Sequence, residues 1–410
     1  MKNNLVIKIL CLLVFFTSIA LGIHNAKLYN PTQGFDGSGH VYYIKYIAEN
    51  RQIPPPTEWE THQPPLYYII SAIILNIFKD PKSIQYVNVF VLWMIIIVVG
   101  LGLRKIFKNK KQVLLGMFSL AALPMLNIFL PAVTNELLNT FFILSAIVSC
   151  IYIYYAKSTK EVNMSFIFLI LSLVFGVWTK ISIISIIPTV IIALFLSLKN
   201  IKKSLIYSGI TLFVFVLAYA PIFFRASNSS SPSNIVQTVS LLNNKRSLDF
   251  YYRLDWIPKV DMYTAQYYSL LGGAWNSFWS DGQNQITPFV PFHKKAFILW
   301  TLGFILFPIS IYGFWKQFKE NKKISIIMTI LGLSMFAFYV LYNVISNHYS
   351  AARLTYEMGI VLPYAFGIAV ASKNKKMSIL ITVLLLIQFV ILVSFYWIQP
   401  WWFVTQNKVI

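Results

Sequence analysis

The sequence is short of charge, and shortest of acid. Charged residues fill 11% of its 410 positions, against about 25% in ordinary soluble domains. Only 13 are Asp or Glu, while 34 are Lys or Arg. With 57% of the chain hydrophobic, there is too little polar surface to clothe a water-soluble body of this size. That excludes a soluble enzyme and a disordered chain. The two cysteines, Cys11 and Cys150, both sit in apolar runs, so a disulfide-stapled secreted module is excluded and no redox or metal spacing is present. No G-x-x-x-x-G-K-[ST] loop occurs and no internal repeat is visible, which removes the sequence signal for a nucleotide-driven pump. An all-α polytopic membrane protein remains.

What is present is a series of long apolar runs. Spanning about 30 Å of hydrocarbon takes about 20 residues. The candidate spans are 5–23, 84–103, 112–130, 137–155, 164–179, 181–198, 205–223, 296–315, 324–345, 354–372 and 378–398, about eleven in all. The formal charge of +21 does not point to nucleic acid, because the lysines cluster in short segments between these runs, as topology signals do. Lys2 and Lys8, RKIFKNKK (104–111), KSTKE (157–161), KNIKK (199–203), KQFKENKK (316–323) and KNKK (373–376) all fall on one side if the N-terminus is cytoplasmic. One condition attaches: the 13-residue run 66–78 must not cross. As a helix it is about 20 Å long and reads as interfacial or re-entrant.

With that parity, Glu161 and Glu320 are the inner acids and the remaining acids and all five histidines lie outside or at the outer rim. The first span reads as an uncleaved anchor rather than a secretory signal. Two longer outer segments, 24–83 and 224–295, carry the interest. The expected organisation is a transmembrane core over 1–223 that includes the first outer loop, an aromatic-rich outer loop over 224–295, and C-terminal helices over 296–410.

The first loop reads FDGSGHVYYIKYIAENRQIPPPTEWETHQPPLYY (35–68). A helix is expected from about Ser38 to Asn50, with Val41, Ile44 and Ala48 as an apolar stripe suited to a membrane surface. Pro54, Pro55 and Pro56 end it. Asp36 precedes this helix, so its plain reading is a cap at the helix N-terminus. Its other reading is catalytic, since a carboxylate beside His40 and two proline turns forms a rigidly held loop. Glu136 likewise opens a span, as a helix-terminal acid or a functional one. His40 and His62 with Asp36, Glu58 or Glu60 match no fixed zinc spacing. They read as hydrogen-bonding groups, and no metal ligand is assigned.

The pattern D-x-x-x-H, an aromatic helix and then Q-P-P-L-Y-Y resembles the first outer loop of the GT-C glycosyltransferases, in particular the protein O-mannosyltransferase-like and aminoarabinose-transferase-like groups. PAVTNELLNT (131–140) resembles their second outer loop, GVWTKISIISIIP (176–188) a Thr-Lys hairpin, and AARLTYEMGIVLP (351–363) a late Arg segment. This sequence departs at Gly37, where many relatives carry a second acid, at Glu136, where Asp is commoner, and at Leu354, where Tyr is usual.

The resemblance implies a GT-C-type fold and an inverting transfer of a sugar from a polyprenyl-phosphate donor to a glycan, lipid or protein acceptor at the outer face. It implies no required cofactor; a divalent metal is possible but not favoured. Such a reaction needs a base and cations for the departing phosphate. Asp36 is the expected base and Glu136 the second carboxylate. Lys180 stands at an outer turn, where positive-inside bias does not explain it; it is a phosphate ligand or a snorkelling lysine. Arg225 and Arg353 are candidate phosphate clamps, and His40, His62, Gln63 and Asn135 complete the expected substrate-binding set. In the second loop, Tyr268, Leu271, Trp275 and Phe278 follow helical spacing, as an interfacial aromatic helix or a sugar-stacking wall; Asp249, Arg253 and Asp255 could bind sugar hydroxyls. The rival readings are a lipid-linked polysaccharide polymerase or ligase, which should rest on outer arginines and histidines, and a secondary transporter, which predicts repeats and mid-span ionisable groups. The expected location is the plasma (inner) membrane, with the site on its extracytoplasmic side.

Overall fold

The computed structural model describes residues 2–34, 36–198, 200–227, 246–255, 265–280, 294–345 and 352–398. Trp256, Tyr263 and most of 224–295 lie outside them, as do His293 and His348. The regular elements among the described residues are all helices, with no strand among them. The first half comprises α1 (Lys2–Leu28), α2 (Gly37–Asn50), α3 (Leu66–Phe78), α4 (Ser83–Ile106), α5 (Lys110–Ala121), α6 (Pro124–Asn127), α7 (Glu136–Tyr154), α8 (Thr159–Val177), α9 (Ile187–Ser197) and α10 (Ile201–Ser227). Short turns at Asp249–Tyr252 and Ala265–Tyr268 precede α11 (Leu270–Trp279), α12 (Lys294–Glu320), α13 (Lys322–Ile345), α14 (Val361–Ala371) and α15 (Lys375–Tyr396). Among the described residues, eight helical segments are long and apolar enough to cross a membrane, and three shorter apolar ones accompany them. The chain is an integral, multi-pass membrane protein.

Three expected spans are not continuous α-helices. The run 112–130 is cut after Ala121 because Leu123, which precedes Pro124, is extended, as a residue before proline must tend to be. Asn127 closes the break by donating to the carbonyls of Ala121 and Leu123, at 3.0 and 2.9 Å, groups that a helix end leaves unsatisfied. The run 181–198 starts as a 3-10 turn, Ile181–Ile186, before Pro188 seeds α9. The run 354–372 likewise opens as a 3-10 turn, Leu354–Ile360, kinked at Glu357. These breaks turn backbone away from the helix axis at the end of the bundle where the site lies.

The bundle has chemically distinct ends. At one end Gln112 donates to the carbonyl of Ala369 at 3.1 Å, Lys373 pairs with Glu320 at 2.8 Å, Asn321 donates to Tyr155 at 3.1 Å, and Tyr207 donates to Asn163 at 2.6 Å. These contacts bring the basic loops 104–111, 157–161, 199–203, 316–323 and 373–376 to a common end. At the other end Gln85 donates to the carbonyls of Tyr29 and Pro131, and Asn88 to those of Phe129 and Ala132. These bonds fasten the loop before α7 onto α4.

The apolar stripe of α2 is turned toward protein. Val41, Tyr43 and Ile44 are buried in the protein core, packed with Tyr67 and Tyr68 of α3, and the rings of Tyr43 and Tyr68 stack 3.9 Å apart. Burial against protein removes the same apolar area as lipid would, so periodicity alone could not separate the two. The helix expected through Tyr268, Leu271, Trp275 and Phe278 is also divided. Ser269 is extended and caps α11 by accepting from the amide of Gly272. Phe278 and Trp279 then pack edge-on against Tyr364 of α14, with ring centroids 5.7 and 5.6 Å away, instead of facing an interface. Close approach of α12 and α14 depends on two glycines: a Cβ at Gly313 would strike the carbonyl of Gly367, and one at Gly367 would strike Ser310. Small residues at such a crossing are how membrane helices bring their backbones together.

Candidate active site

The end of the bundle opposite the basic loops gathers residues from five segments. The first is the entry to α2. Asp36 is exposed and adopts a left-handed backbone, φ 61°. Its side chain caps nothing, so the helix-cap reading of Asp36 is not what the structure contains. A non-glycine residue held in this conformation stores strain, and such strain tends to gather where geometry serves function.

The second segment is the proline-bounded turn 54–65. Its Glu60 is buried, with an Oε2 3.7 Å from Nδ1 of His40. The same His40 nitrogen lies 2.8 Å from the hydroxyl of Tyr68. Burial, followed by the charge of Asp36, pushes the Glu60 carboxyl up to about 7; Lys180 and a hydrogen bond from Gln63 pull the other way. His62 is driven down to about 4 by burial and by the positive charges of Arg225 and Lys180, against the pull of Asp36. It is therefore a neutral imidazole at neutral pH, able to accept or donate a hydrogen bond but not to neutralise a phosphate.

The third and fourth segments are the start of α7 and the turn between α8 and α9. Lys180 Nζ sits 2.5 Å from Glu136 Oε1, both largely buried. The second Glu136 oxygen is buried without a hydrogen-bond partner. Asn135 donates to the carbonyl of Thr179 at 3.1 Å and Asn139 to Ser182 at 2.9 Å, so α7 fixes the turn that carries the lysine. The amide of Leu66 donates to the carbonyl of Trp178 at 2.8 Å, tying the first loop to that turn. Asn135, expected to touch substrate, thus has its amide nitrogen engaged in positioning Lys180.

The fifth segment is the 3-10 turn at 353–360. Arg353 donates to the Tyr356 hydroxyl at 2.6 Å and lies over its ring, 4.5 Å from the centroid. Lys180 approaches the same ring at 4.8 Å. Burial opposes the Arg353 charge, but Tyr356, Glu136 and Asp36 more than offset it and hold its pKa above the ordinary value. Two cations therefore flank one tyrosine within reach of two carboxylates. That arrangement suits an incoming multivalent anion such as a phosphate, which arginine and lysine bind through charge-assisted hydrogen bonds.

Arg225 plays a different part from the clamp expected of it. From the end of α10 it donates to the carbonyls of Gln63 at 3.2 Å, Pro54 at 2.8 Å, and Thr61. It staples the turn 54–63 that carries Glu60 and His62. Arg225→Gln should loosen that turn at a cost of about 1.5–3 kcal/mol for each bond to the charged group that is lost without replacement. Hydrogen exchange of the amides in 54–63 should accelerate in the variant, and Arg225→Lys should restore little, because a point charge cannot serve three carbonyls as a fork does. Unchanged exchange would remove Arg225 from this role.

The sequence did not reveal Tyr356 or the raised carboxyl of Glu60. The first had a signal: in a 3-10 turn, residues three apart share a face, and Tyr356 follows Arg353 by three. The second had none, because it rests on burial. The described aromatics of the second loop divide: Tyr252, Tyr267 and Tyr268 are exposed, whereas Tyr251 and Trp275 are engaged. Tyr251 donates to the carbonyl of Asn343 at 3.2 Å and Trp275 packs 4.4 Å from Phe304. Arg253 pairs with Asp249 and Asp255 at 3.4 and 3.1 Å, so these three side chains already engage one another. Among the described residues no three His, Cys, Asp or Glu side chains converge as metal ligands would.

Residues 62–223, under half of the chain, match the family model described as dolichyl-phosphate-mannose-protein mannosyltransferase. Among solved structures, the Archaeoglobus fulgidus oligosaccharyltransferase, in complex with Zn and sulfate, aligns over 93% of this chain and 53% of its own, at 14% identity and a TM-score of 0.53. The chain has a GT-C fold. The GT-C chain spans about half the length of that archaeal protein. ArnT from Cupriavidus metallidurans aligns in its apo state over 91% of this chain and 77% of its own, at 10% identity and TM-score 0.45. Its complex with undecaprenyl phosphate aligns over the same shares at 11% identity and TM-score 0.47. Among curated proteins no sequence matches significantly.

Proposed function

We propose that this GT-C chain is an inverting glycosyltransferase that moves a sugar from a polyprenyl-phosphate donor to an acceptor hydroxyl on a glycan, lipid or protein. The observation that carries the reading is the Lys180–Tyr356–Arg353 cation group, with Lys180 also held by Glu136, at one end of a membrane bundle, where the charge of the uncapped Asp36 favours the Arg353 cation. The match of residues 62–223 to a family described by a dolichyl-phosphate sugar supports the donor class. The gathering of basic loops at the far end supports a site on the extracytoplasmic side of the plasma (inner) membrane, by the positive-inside bias.

In this scheme the acceptor hydroxyl attacks the anomeric carbon while Asp36 takes its proton. The bond from that carbon to the phosphate oxygen breaks, and its electron pair leaves with the lipid phosphate. Lys180 and Arg353 meet the growing charge, aimed in advance by Glu136, Asn135 and Tyr356, so no reorganisation is needed during the reaction. Glu136 holds the lysine in place until the phosphate arrives. His40, His62 and Gln63 line the same end and supply hydrogen bonds for sugar hydroxyls or the acceptor. These side chains provide both the base and the charge compensation, so the scheme assigns no step to a metal.

A single displacement inverts the anomeric centre. The purified chain, reconstituted in vesicles with a panel of radiolabelled polyprenyl-phosphate sugars, should release label from one of them into a product of opposite anomeric configuration. A product with retained configuration would contradict the single-displacement mechanism.

A further inference from the structure

Arg353 is held from outside its own turn. Its backbone is extended, φ −133° and ψ 129°, and it occupies the N-cap position of the 3-10 turn Leu354–Ile360. Its side chain makes no capping bond there and reaches the Tyr356 hydroxyl instead. The amide of Leu354, a group that a helix start leaves without an internal partner, is served by a different element. Ser277 of α11 accepts from it at 2.9 Å. The Ser277 hydroxyl spends its own hydrogen on the carbonyl of Ala274, at 3.0 Å, which leaves its lone pairs to face Leu354. One helical turn earlier, Gly273 meets the residue on the other side of the arginine. A Cβ there would strike the carbonyl oxygen of Ala352, so the two backbones touch because position 273 carries no side chain. Gly273 and Ser277 are four apart and share one face of α11.

The two contacts fall on different peptide units. The carbonyl of Ala352 belongs to the unit before Arg353, and the amide of Leu354 to the unit after it. Each unit is planar, so the two backbone dihedrals of Arg353 are the soft joint between them. Holding both units holds both dihedrals, and these decide which rotamers the arginine can adopt. Helix α11 is itself anchored. Tyr339 of α13 donates to the carbonyl of Leu270 at 2.9 Å, and Ser269 donates to the carbonyl of Arg253 at 2.8 Å. A Cβ at Gly303 of α12 would lie 2.7 Å from the Trp279 ring.

We infer that α11 is the positioning element for Arg353 and Ser277 its positioning residue, holding the arginine backbone so that the guanidinium meets the lipid phosphate beside Tyr356. The inference rests on the transfer proposed above. It gives the second outer segment a part in donor binding that needs no contact between α11 and the substrate. A serine that only stabilised the bundle would matter equally whatever residue stood at 353. A serine that works through Arg353 matters only while the arginine is there.

The test is a double-substitution cycle on the full chain in vesicles. It reads equilibrium binding of free polyprenyl phosphate, which requires no turnover. Ser277→Ala should weaken binding about fivefold or more, and Arg353→Gln about tenfold or more, as loss of a neutral and of a charge-assisted hydrogen bond implies. The double variant should bind no more weakly than Arg353→Gln alone, because the serine has then lost the group it aims. Lys180 remains to keep that affinity measurable. Gly273→Ala disturbs the other peptide unit and should show the same dependence on Arg353, so a poorly folded Ser277→Ala would not remove the test. Unchanged binding in Ser277→Ala, or losses that multiply in the double variant, would overturn the inference and leave the transfer reading standing. A wild type that neither transfers sugar nor binds the lipid phosphate would overturn the transfer reading and this inference with it.

Discussion

Lys180→Met is expected to be the most damaging single substitution to the stability of the folded chain. The lysine and Glu136 lie 2.5 Å apart, with side chains 12% and 5% exposed. Removing one partner of a buried pair strands the other, at a cost of about 3–5 kcal/mol. The second oxygen of Glu136 already lacks a partner, so the carboxylate has no other hydrogen bond to fall back on. Replacing both members together removes the stranded charge as well as the attraction, and such double replacements are often neutral. Lys180→Met should therefore unfold at markedly lower temperature than the wild type in the same detergent, while Lys180→Met with Glu136→Gln should recover most of the loss. Sugar transfer should be lost in both, because neither presents the cation to a leaving phosphate. Equal stability of the single and double variants would contradict the account of the pair.

Asp36→Asn is expected to have the opposite profile, with a large loss of rate and little loss of stability. The side chain is exposed and makes no capping bond, so an amide of the same shape removes no contact on which the fold depends. Asparagine also tolerates the left-handed backbone as well as aspartate does. What disappears is the base, a contribution of about 10²–10⁴ in rate. Single-turnover measurement should show that loss in the chemical step, with polyprenyl-phosphate binding and the unfolding temperature close to wild type. A variant that turns over at the wild-type rate would remove Asp36 from the mechanism.

Much of this was legible from residue pattern because the controlling physics is local. Helix α3 spans Leu66–Phe78, the bounds its apolar run gives, since a proline pair starts it and the run simply stops. The basic loops meet at one end because charge placement is written between spans. The break at Leu123 was written in Pro124 but outweighed by the uniform apolarity around it. What sequence could not carry was partnership across the bundle. Arg225 looked like a phosphate ligand from its place at a helix end, yet its guanidinium is committed to carbonyls of residues more than 160 positions away in the chain. Asp36 looked like a cap because it precedes a helix, and only its backbone angle and missing bond distinguish it. Glu60 acquired its character from burial and from neighbours on three other segments, none adjacent in sequence.

The account stands or falls on the donor. Two cations share one tyrosine at one end of a membrane bundle, which suits a phosphate presented on a lipid. The most direct measurement gives the reconstituted wild-type chain the same labelled sugar in two forms, as a polyprenyl-phosphate sugar and as a soluble nucleotide sugar, across a panel of sugars. The account predicts label transfer from the lipid-linked form alone, with free polyprenyl phosphate released in equal amount. Transfer from the nucleotide form, or release of sugar without stoichiometric polyprenyl phosphate, would contradict it.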